Sequence, residues 1–219
     1  MFPSTLQTLL RQASATSAGG AYALNAVMEM YWKPCYRYVR LRFRTSDDQA
    51  EDLVQGFFIA LIEQEILARY DSNRAPFRPY LRACLDQFVW TELERNRSEK
   101  RGGRTTIVPL DEEALAEAGG GRPDEIFHRE WQREMFVLAA EDLRKLCDET
   151  DRGVRYQIFA AYDLSDEPRP TYDELAAAHG VPITAVTNHL AWARRELRRL
   201  LEARLGMGET RRLFGSGPQ

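Results

Sequence analysis

The residues best suited to chemical recognition lie close together near the carboxyl end of the chain. Asn188 and Arg195 are seven residues apart, and Thr184 precedes Asn188 by four. At about 100° per residue, a helix carries all three on one face. Asparagine can form two hydrogen bonds with adenine, threonine can contact a base or a thymine methyl group, and arginine can neutralise a phosphate. The spacing therefore predicts a helix that contacts nucleic acid.

The segment from Thr171 to Leu201 has the spacing of a helix-turn-helix. Thr171 and Glu174 match the S/T-x-x-E capping box, which predicts a first helix from Tyr172. Gly180 stands where the turn needs a left-handed residue. Pro182 suits the opening of the second helix, because the first turn of a helix needs no N–H there.

The second helix has an apolar stripe opposite the polar face. Its members are Val186, Leu190, Ala193 and Leu197. A plain helical hairpin with a solvated arginine-rich face is the alternative, but that hairpin would not require Ala176, Gly180 and Val181 at these spacings. His189 lies near the edge of the buried face and is more often a packing residue in such a position. The predicted DNA contacts on this helix are Thr184, Thr187, Asn188, His189, Ala191, Trp192, Arg195, Arg198 and Arg199.

Helical periodicity runs through almost all of the chain, and no alternating strand pattern is long enough to predict a sheet. We therefore predict an all-α fold of two small helical domains joined by a flexible linker. The linker is a glycine-rich, acidic stretch that includes three consecutive glycines from Gly119. The predicted ranges are an N-terminal extension at 1–21, a first domain at 22–103, the linker at 104–123, a second domain at 124–205 and a tail at 206–219.

Charge and composition exclude several classes of protein. The 219-residue chain has a formal net charge of −3, so it lacks the overall basic excess of a self-sufficient DNA-binding protein. Its basic residues gather in local clusters instead. The three cysteines are far apart, which predicts no metal site and no disulfide framework. No phosphate-binding glycine loop or nucleophile motif is present, so we expect no enzyme activity.

Two segments of the first domain have distinct patterns. From 49 to 64 the apolar positions predict one stripe on an amphipathic helix. They are Ala50, Leu53, Val54, Phe57, Phe58, Leu61 and Ile62. The stretch RYDSNRAPF at 69–77 predicts a loop, and a long helix that buries Leu81, Leu85, Phe88 and Cys84 should follow it.

The two-domain layout, with an arginine-rich helix-turn-helix at the carboxyl end, resembles the extracytoplasmic-function (ECF) sigma factors of the sigma-70 family. The stretch DDQAEDLVQGFFIALIE at 47–63 is similar to the family's D-A-E-D-L-V-Q-x-x-F motif, which docks on the clamp helices of the largest polymerase subunit. The resemblance implies polymerase contacts at Asp52, Gln55 and Gly56. Gly56 departs from the pattern, because the family usually carries an acidic residue there.

The stretch from Ala68 to Gly103 resembles the family's promoter-opening region. There a loop traps a base flipped from the minus-10 element, and a long helix with a basic end follows it. The alternatives are that Trp90 only packs within the protein and that the terminal arginines are only solvated. The implied DNA contacts are Tyr70, Asp71, Asn73, Arg74, Arg78, Arg82, Gln87, Trp90, Thr91, Arg95, Arg97, Lys100 and Arg101.

The resemblance implies that the protein is a sigma factor whose partners are core RNA polymerase and promoter DNA. An anti-sigma factor is a further partner common in the family. No cofactor is implied. No apolar run is long enough to span a membrane and no signal peptide is evident, so we expect a cytoplasmic location. The competing hypothesis is a free-standing helix-turn-helix regulator, which would bind duplex DNA without polymerase.

Overall fold

The computed structural model describes residues 18–63, 66–67, 69–71, 74, 76–101, 122–165 and 168–205. Within these ranges the chain is helical and contains no strand, which confirms the predicted all-α class. The helices are α1 (Ala18–Phe43), α2 (Asp47–Glu63), α3 (Phe77–Arg101), α4 (Pro123–Glu149), α5 (Gly153–Phe159), α6 (Tyr172–His179) and α7 (Ile183–Leu205). A π-helical turn, Ala160–Leu164, continues directly from α5.

The chain divides into two compact units, with the division between Glu134 and Met135. That division lies inside α4, so the first half of this helix packs within unit 1. The predicted domain ranges of 22–103 and 124–205 stay a prediction. The N-terminal extension, the linker and the tail lie outside the described residues, except at 18–21 and 122–123.

Unit 1 is built on the mutual packing of α1, α2 and α3. Large side chains from all three helices are fully buried, which removes their apolar surface from water. They include Tyr31, Tyr38, Phe57, Leu61, Leu81 and Leu85. The predicted stripe on α2 is buried except at Ile62, which is 51% exposed because it lies at the margin of the stripe. Phe88 and Cys84 of α3 are only partly buried.

Gly56 permits a close approach of α2 to α3. A Cβ atom at this position would lie 3.1 Å from Cζ of Phe88, which is tighter than ordinary van der Waals contact. The position therefore faces a neighbouring helix of the same unit. A glycine inside a helix costs about 1 kcal/mol relative to alanine, and this close packing gives a structural reason for its presence.

The first half of α4 packs on unit 1 through aromatic and charged contacts. The Phe127 ring meets Tyr38 edge-to-face with centroids 5.4 Å apart. Glu134 is buried, and its carboxylate lies 3.3 Å from Lys33 and 3.1 Å from Arg37. The cations of α1 compensate the burial of this carboxylate, which would be costly if it were unpaired.

Unit 2 contains the second half of α4 with α5, α6 and α7. Its core combines apolar side chains from each of these helices, and α5 and α6 both pack on α7. The buried members include Leu143, Ile158, Phe159, Leu175, Val186, Leu190, Ala193, Leu197 and Leu201. The predicted apolar stripe of the second helix is thus confirmed, and α7 carries it into the core.

Candidate nucleic-acid interface

The first helix of the motif begins with the predicted capping box. The Thr171 hydroxyl accepts a hydrogen bond from the Glu174 backbone N–H at 3.2 Å, and the Glu174 carboxylate accepts one from the Thr171 backbone N–H at 2.7 Å. The Glu174 carboxylate also accepts a hydrogen bond from the Thr171 hydroxyl at 2.9 Å. The bonds that it accepts from the Thr171 N–H and hydroxyl hold the pKa of Glu174 below its usual value. The reciprocal bonds fix where α6 begins, at Tyr172.

The turn between α6 and α7 has the predicted left-handed residue. Gly180 has a φ of 62°, and its N–H donates to the carbonyl of Ala176. The next N–H, of Val181, donates to the same carbonyl at 3.0 Å. These bonds satisfy a carbonyl at the end of α6 that would otherwise lack a helical partner. The chain then enters α7 at Ile183.

The outward face of α7 carries most of the side chains predicted to contact DNA. Thr184, Asn188 and Arg195 are all exposed and lie opposite the buried stripe. Within the described part of the chain, Arg195 forms no ion pair, so its guanidinium is available to a ligand. Also exposed on this side are Thr187, Ala191, Arg198 and Arg199. We refer to these seven exposed residues as the α7 stripe.

The arginines of α7 differ in their local bonding. Arg199 donates from Nε to the Glu196 carboxylate at 2.6 Å, one turn earlier on the same helix. This contact raises the pKa of the already cationic Arg199. Arg194 lies outside the stripe and makes two bonds to Asp163 of the π-helical turn, at 2.8 and 3.0 Å. Arg194 therefore ties α7 to its own unit.

His189 and Trp192 lie on one flank of the stripe and are partly buried. Burial, and secondarily the positive charge of Arg155, lowers the pKa of His189. Two arginines from the neighbouring element approach the Trp192 ring, Arg152 at 5.5 Å and Arg155 at 5.0 Å from its centroid. Sequence patterns did not identify these two arginines, because only the packing of α5 on α7 brings them to the motif.

In unit 1, the outward face of α2 carries the residues predicted to bind polymerase. Asp52 and Gln55 are exposed. Ile59 is 47% exposed and lies one turn beyond Gln55, and Ile62 continues the same side. These two isoleucines add apolar surface beside the polar side chains, which a bound partner could bury. Gly56, by contrast, faces α3.

The loop before α3 is held partly by aromatic packing. The ring of Tyr70 lies 5.2 Å from that of Phe77 and 5.3 Å from that of Tyr80. Burial raises the pKa of Tyr70, with a smaller contribution from Asp71. Asp71 and Arg74 are exposed. Asn73 lies outside the described residues, so the predicted pocket for a flipped base stays a prediction.

The first two arginines of α3 are engaged inside unit 1. Arg82 donates to Asp86 at 2.5 Å and to Asp124 of α4 at 2.7 Å. The Arg78 guanidinium lies over the Trp131 ring, 4.0 Å from its centroid. The side chain of Arg82 is only 15% exposed. A DNA contact by Arg82 would therefore have to compete with this internal network.

The rest of α3 is more open. Gln87, Thr91 and Arg97 are exposed. Trp90 packs edge-to-face on Phe43 with centroids 5.5 Å apart, and is partly buried. Arg95 forms an ion pair with Glu92 at 2.7 Å. The side chains of Lys100 and Arg101, also predicted DNA contacts, lie outside the described part of the structure.

The described residues contain neither a candidate metal centre nor a membrane-spanning helix. No group of three or more His, Cys, Asp or Glu side chains there is arranged to hold a metal ion. No helix in the same ranges has the length and apolarity needed to cross a bilayer.

Comparison with known proteins gives one family. The model of the family described as "ECF sigma factor" matches residues 6–203, which is most of the chain. No curated protein and no solved structure gives a significant match.

Proposed function

The chain belongs to the ECF sigma factor family, and from this premise we propose that it binds core RNA polymerase and directs it to specific promoters. Membership makes it a DNA-binding protein of transcription regulation, in a family of regulators rather than of enzymes. The finer assignment concerns which surface binds which partner. We propose that unit 1 docks on the polymerase clamp helices and opens the minus-10 element, while unit 2 holds the minus-35 element.

The α7 stripe is the observation that carries the assignment for unit 2. Its exposed residues combine an amide, hydroxyls and guanidinium groups on one side of a helix whose other side is buried. A helix of this kind can enter the major groove, where amide and guanidinium groups distinguish bases by their donors and acceptors. Asn188 and Arg195 are the residues that we expect to contribute most.

The exposed face of α2 supports docking on polymerase. Asp52 and Gln55 can pair with polar groups on a partner, and Ile59 can bury apolar surface there. The net charge of −3 also favours action with a partner. Because DNA affinity depends on the number of phosphates neutralised, an acidic chain with local basic clusters should bind duplex weakly by itself. We propose that it acts in the cytoplasm, with polymerase.

The first experiment is gel filtration of the full chain with bacterial core RNA polymerase. We expect the two to co-elute as a one-to-one complex. Asp52→Lys should weaken the complex at least tenfold, because it reverses the charge in the centre of the docking face. Glu51→Lys is the matched control. It makes the same charge change one residue away, at an exposed position about 100° around the helix, and should bind normally.

Failure of the folded wild-type chain to co-elute would overturn the proposal. Sequence-specific binding of duplex DNA by the chain alone would then support a free-standing helix-turn-helix regulator. Equal weakening by Asp52→Lys and Glu51→Lys would instead leave polymerase binding in place but reject the α2 face as its site. An anti-sigma factor is a further proposed partner, and co-purification from the native host would test for it.

A further inference from the structure

Arg152 and Arg155 form a cationic cluster beside the α7 stripe. Both guanidinium groups lie within 6 Å of the centroid of the Trp192 ring, at 5.5 and 5.0 Å. A cation over an indole ring is attracted by the negative face of the ring. Two cations that share one ring also repel each other, so the indole accounts for their positions without neutralising their charge.

Two carboxylates near the cluster are paired with other arginines. Asp148 lies 3.6 Å from Arg144, and Glu196 lies 2.5 Å from Arg199. Among the described residues, neither Arg152 nor Arg155 forms an ion pair. The positive charge of Arg155 is also felt by the adjacent His189, whose pKa it helps to lower. The cluster therefore presents positive charge that no ion pair within the described residues neutralises.

The location of the cluster indicates what it can bind. Trp192 lies about 80° around α7 from Thr184, on the flank of the stripe rather than at its centre. When a helix lies in a major groove, its outermost face meets the base edges and its flanks face the walls, which are phosphates. Arg152 is exposed, so it can reach a wall without rearrangement.

We propose that Arg152 and Arg155 bind the phosphate backbone of promoter DNA next to the bases contacted by α7, with Trp192 positioning both guanidinium groups. The proposal rests on the proposed function of unit 2. It adds a non-motif element, α5 and the residue before it, to the DNA interface. It also gives Trp192 a positioning role in place of direct contact with a base.

The test measures promoter binding by the holoenzyme as a function of salt concentration. Each neutralised phosphate contributes about 0.9 to the slope of log affinity against log salt. The double variant Arg152→Gln/Arg155→Gln should lower the magnitude of this slope by about 1 to 2. It should weaken binding by about tenfold to a hundredfold at 0.1 M salt. Lys145→Gln is the matched control: it removes an exposed cation of the same unit without freeing a carboxylate beside the cluster, and it should leave the slope unchanged.

Two further measurements separate the possible outcomes. The ratio of affinities for the promoter and for a promoter with an altered minus-35 element should not change in the glutamine variant, because phosphates carry no base identity. Arg152→Lys/Arg155→Lys keeps the charge and should keep the slope. If wild-type holoenzyme binds the promoter but the folded glutamine variant has the wild-type slope, only the cluster assignment fails. If wild-type chain forms no holoenzyme, the proposed function fails first.

Discussion

Arginine is concentrated on both α3 and α7, but the two helices use it differently. At the start of α3, Arg82 is bonded to Asp86 and Asp124, and Arg78 lies over an indole ring. On the α7 stripe, Arg195 and Arg198 are exposed to solvent. Arginine therefore packs inside unit 1 at the start of α3, whereas on the outer face of α7 it lies at the surface.

The difference follows from the environment of each guanidinium group. A cation that leaves water needs a partner of opposite charge, and the acidic residues around Arg82 provide it. An arginine whose long stem points outward stays hydrated until a ligand replaces the water. A basic residue on a DNA-binding helix is thus available for recognition only when its own protein does not neutralise it.

The largest expected effect concerns the stripe. Asn188→Ala with Arg195→Ala should weaken promoter binding by the holoenzyme by about 3 kcal/mol, more than a hundredfold, because two base-edge contacts are lost. The free energy of unfolding should change little, since both side chains are exposed. Fluorescence anisotropy with labelled promoter checks the affinity, and co-elution with core polymerase should be unaffected. Loss of core binding would contradict the division of roles between the units.

At Arg82 we expect a loss of stability instead of a loss of promoter affinity. Arg82→Met should lower the free energy of unfolding by about 3 kcal/mol, because it leaves the carboxylate of Asp86 buried without its cation. Chemical denaturation measures the loss. The double variant Arg82→Met/Asp86→Asn should recover much of it, since neither member of the Arg82–Asp86 pair is then left buried without the other. A loss below about 0.5 kcal/mol would mean that the Arg82–Asp86 pair does not stabilise unit 1.

The Arg82 effect should also depend on pH. Burial raises the pKa of Asp86, while Arg82 and Tyr38 oppose that shift. Removing Arg82 should raise this pKa further. A carboxyl whose pKa is higher in the folded state binds its proton more tightly there, so acid favours folding through this group. The deficit of Arg82→Met should therefore shrink as the pH falls from about 7 to about 5.

A smaller effect is expected at the start of the helix-turn-helix. Thr171→Ala should lower the free energy of unfolding of unit 2 by about 1 kcal/mol by removing a helix cap. Thr171→Ser is the control and should retain most of the stability. The Glu174 pKa lies below its usual value when folded, so its contribution is present at neutral pH and is lost in acid. Because Thr171→Ala keeps the backbone N–H that contributes most to this shift, its acid transition should stay close to that of the wild type. A large displacement would show that the hydroxyl sets the Glu174 pKa.

The smallest expected effect comes from comparing two arginines of α3, one exposed and one packed on an aromatic ring. Arg97→Gln should reduce the salt slope of promoter binding by about 1 without altering stability, because Arg97 is exposed at the far end of the helix. Arg78→Gln should lower stability and leave the slope unchanged, because its guanidinium lies over Trp131. An equal slope change in both variants would mean that the whole length of α3 lies along DNA.

Local patterns were sufficient for the features that depend on neighbours in the chain. The capping box at Thr171 and the left-handed turn at Gly180 follow from bonds that span only three or four residues. The buried stripe of α7 follows from helical periodicity. Ile62 shows the limit of this reasoning, because periodicity includes it in the stripe but its place at the margin leaves it 51% exposed.

The amino-acid sequence by itself determined the helical class, the helix-turn-helix and the residues of the α7 stripe, because each is encoded in residue types at short, regular spacing. Only the tertiary structure decided which arginines are neutralised within the protein and which face solvent. It paired Arg82 with Asp124 across 42 positions and brought Arg152 and Arg155 to Trp192. Such contacts join residues that are far apart in the chain, so no local pattern predicts them. Desolvation and ion pairing select them only when the helices pack.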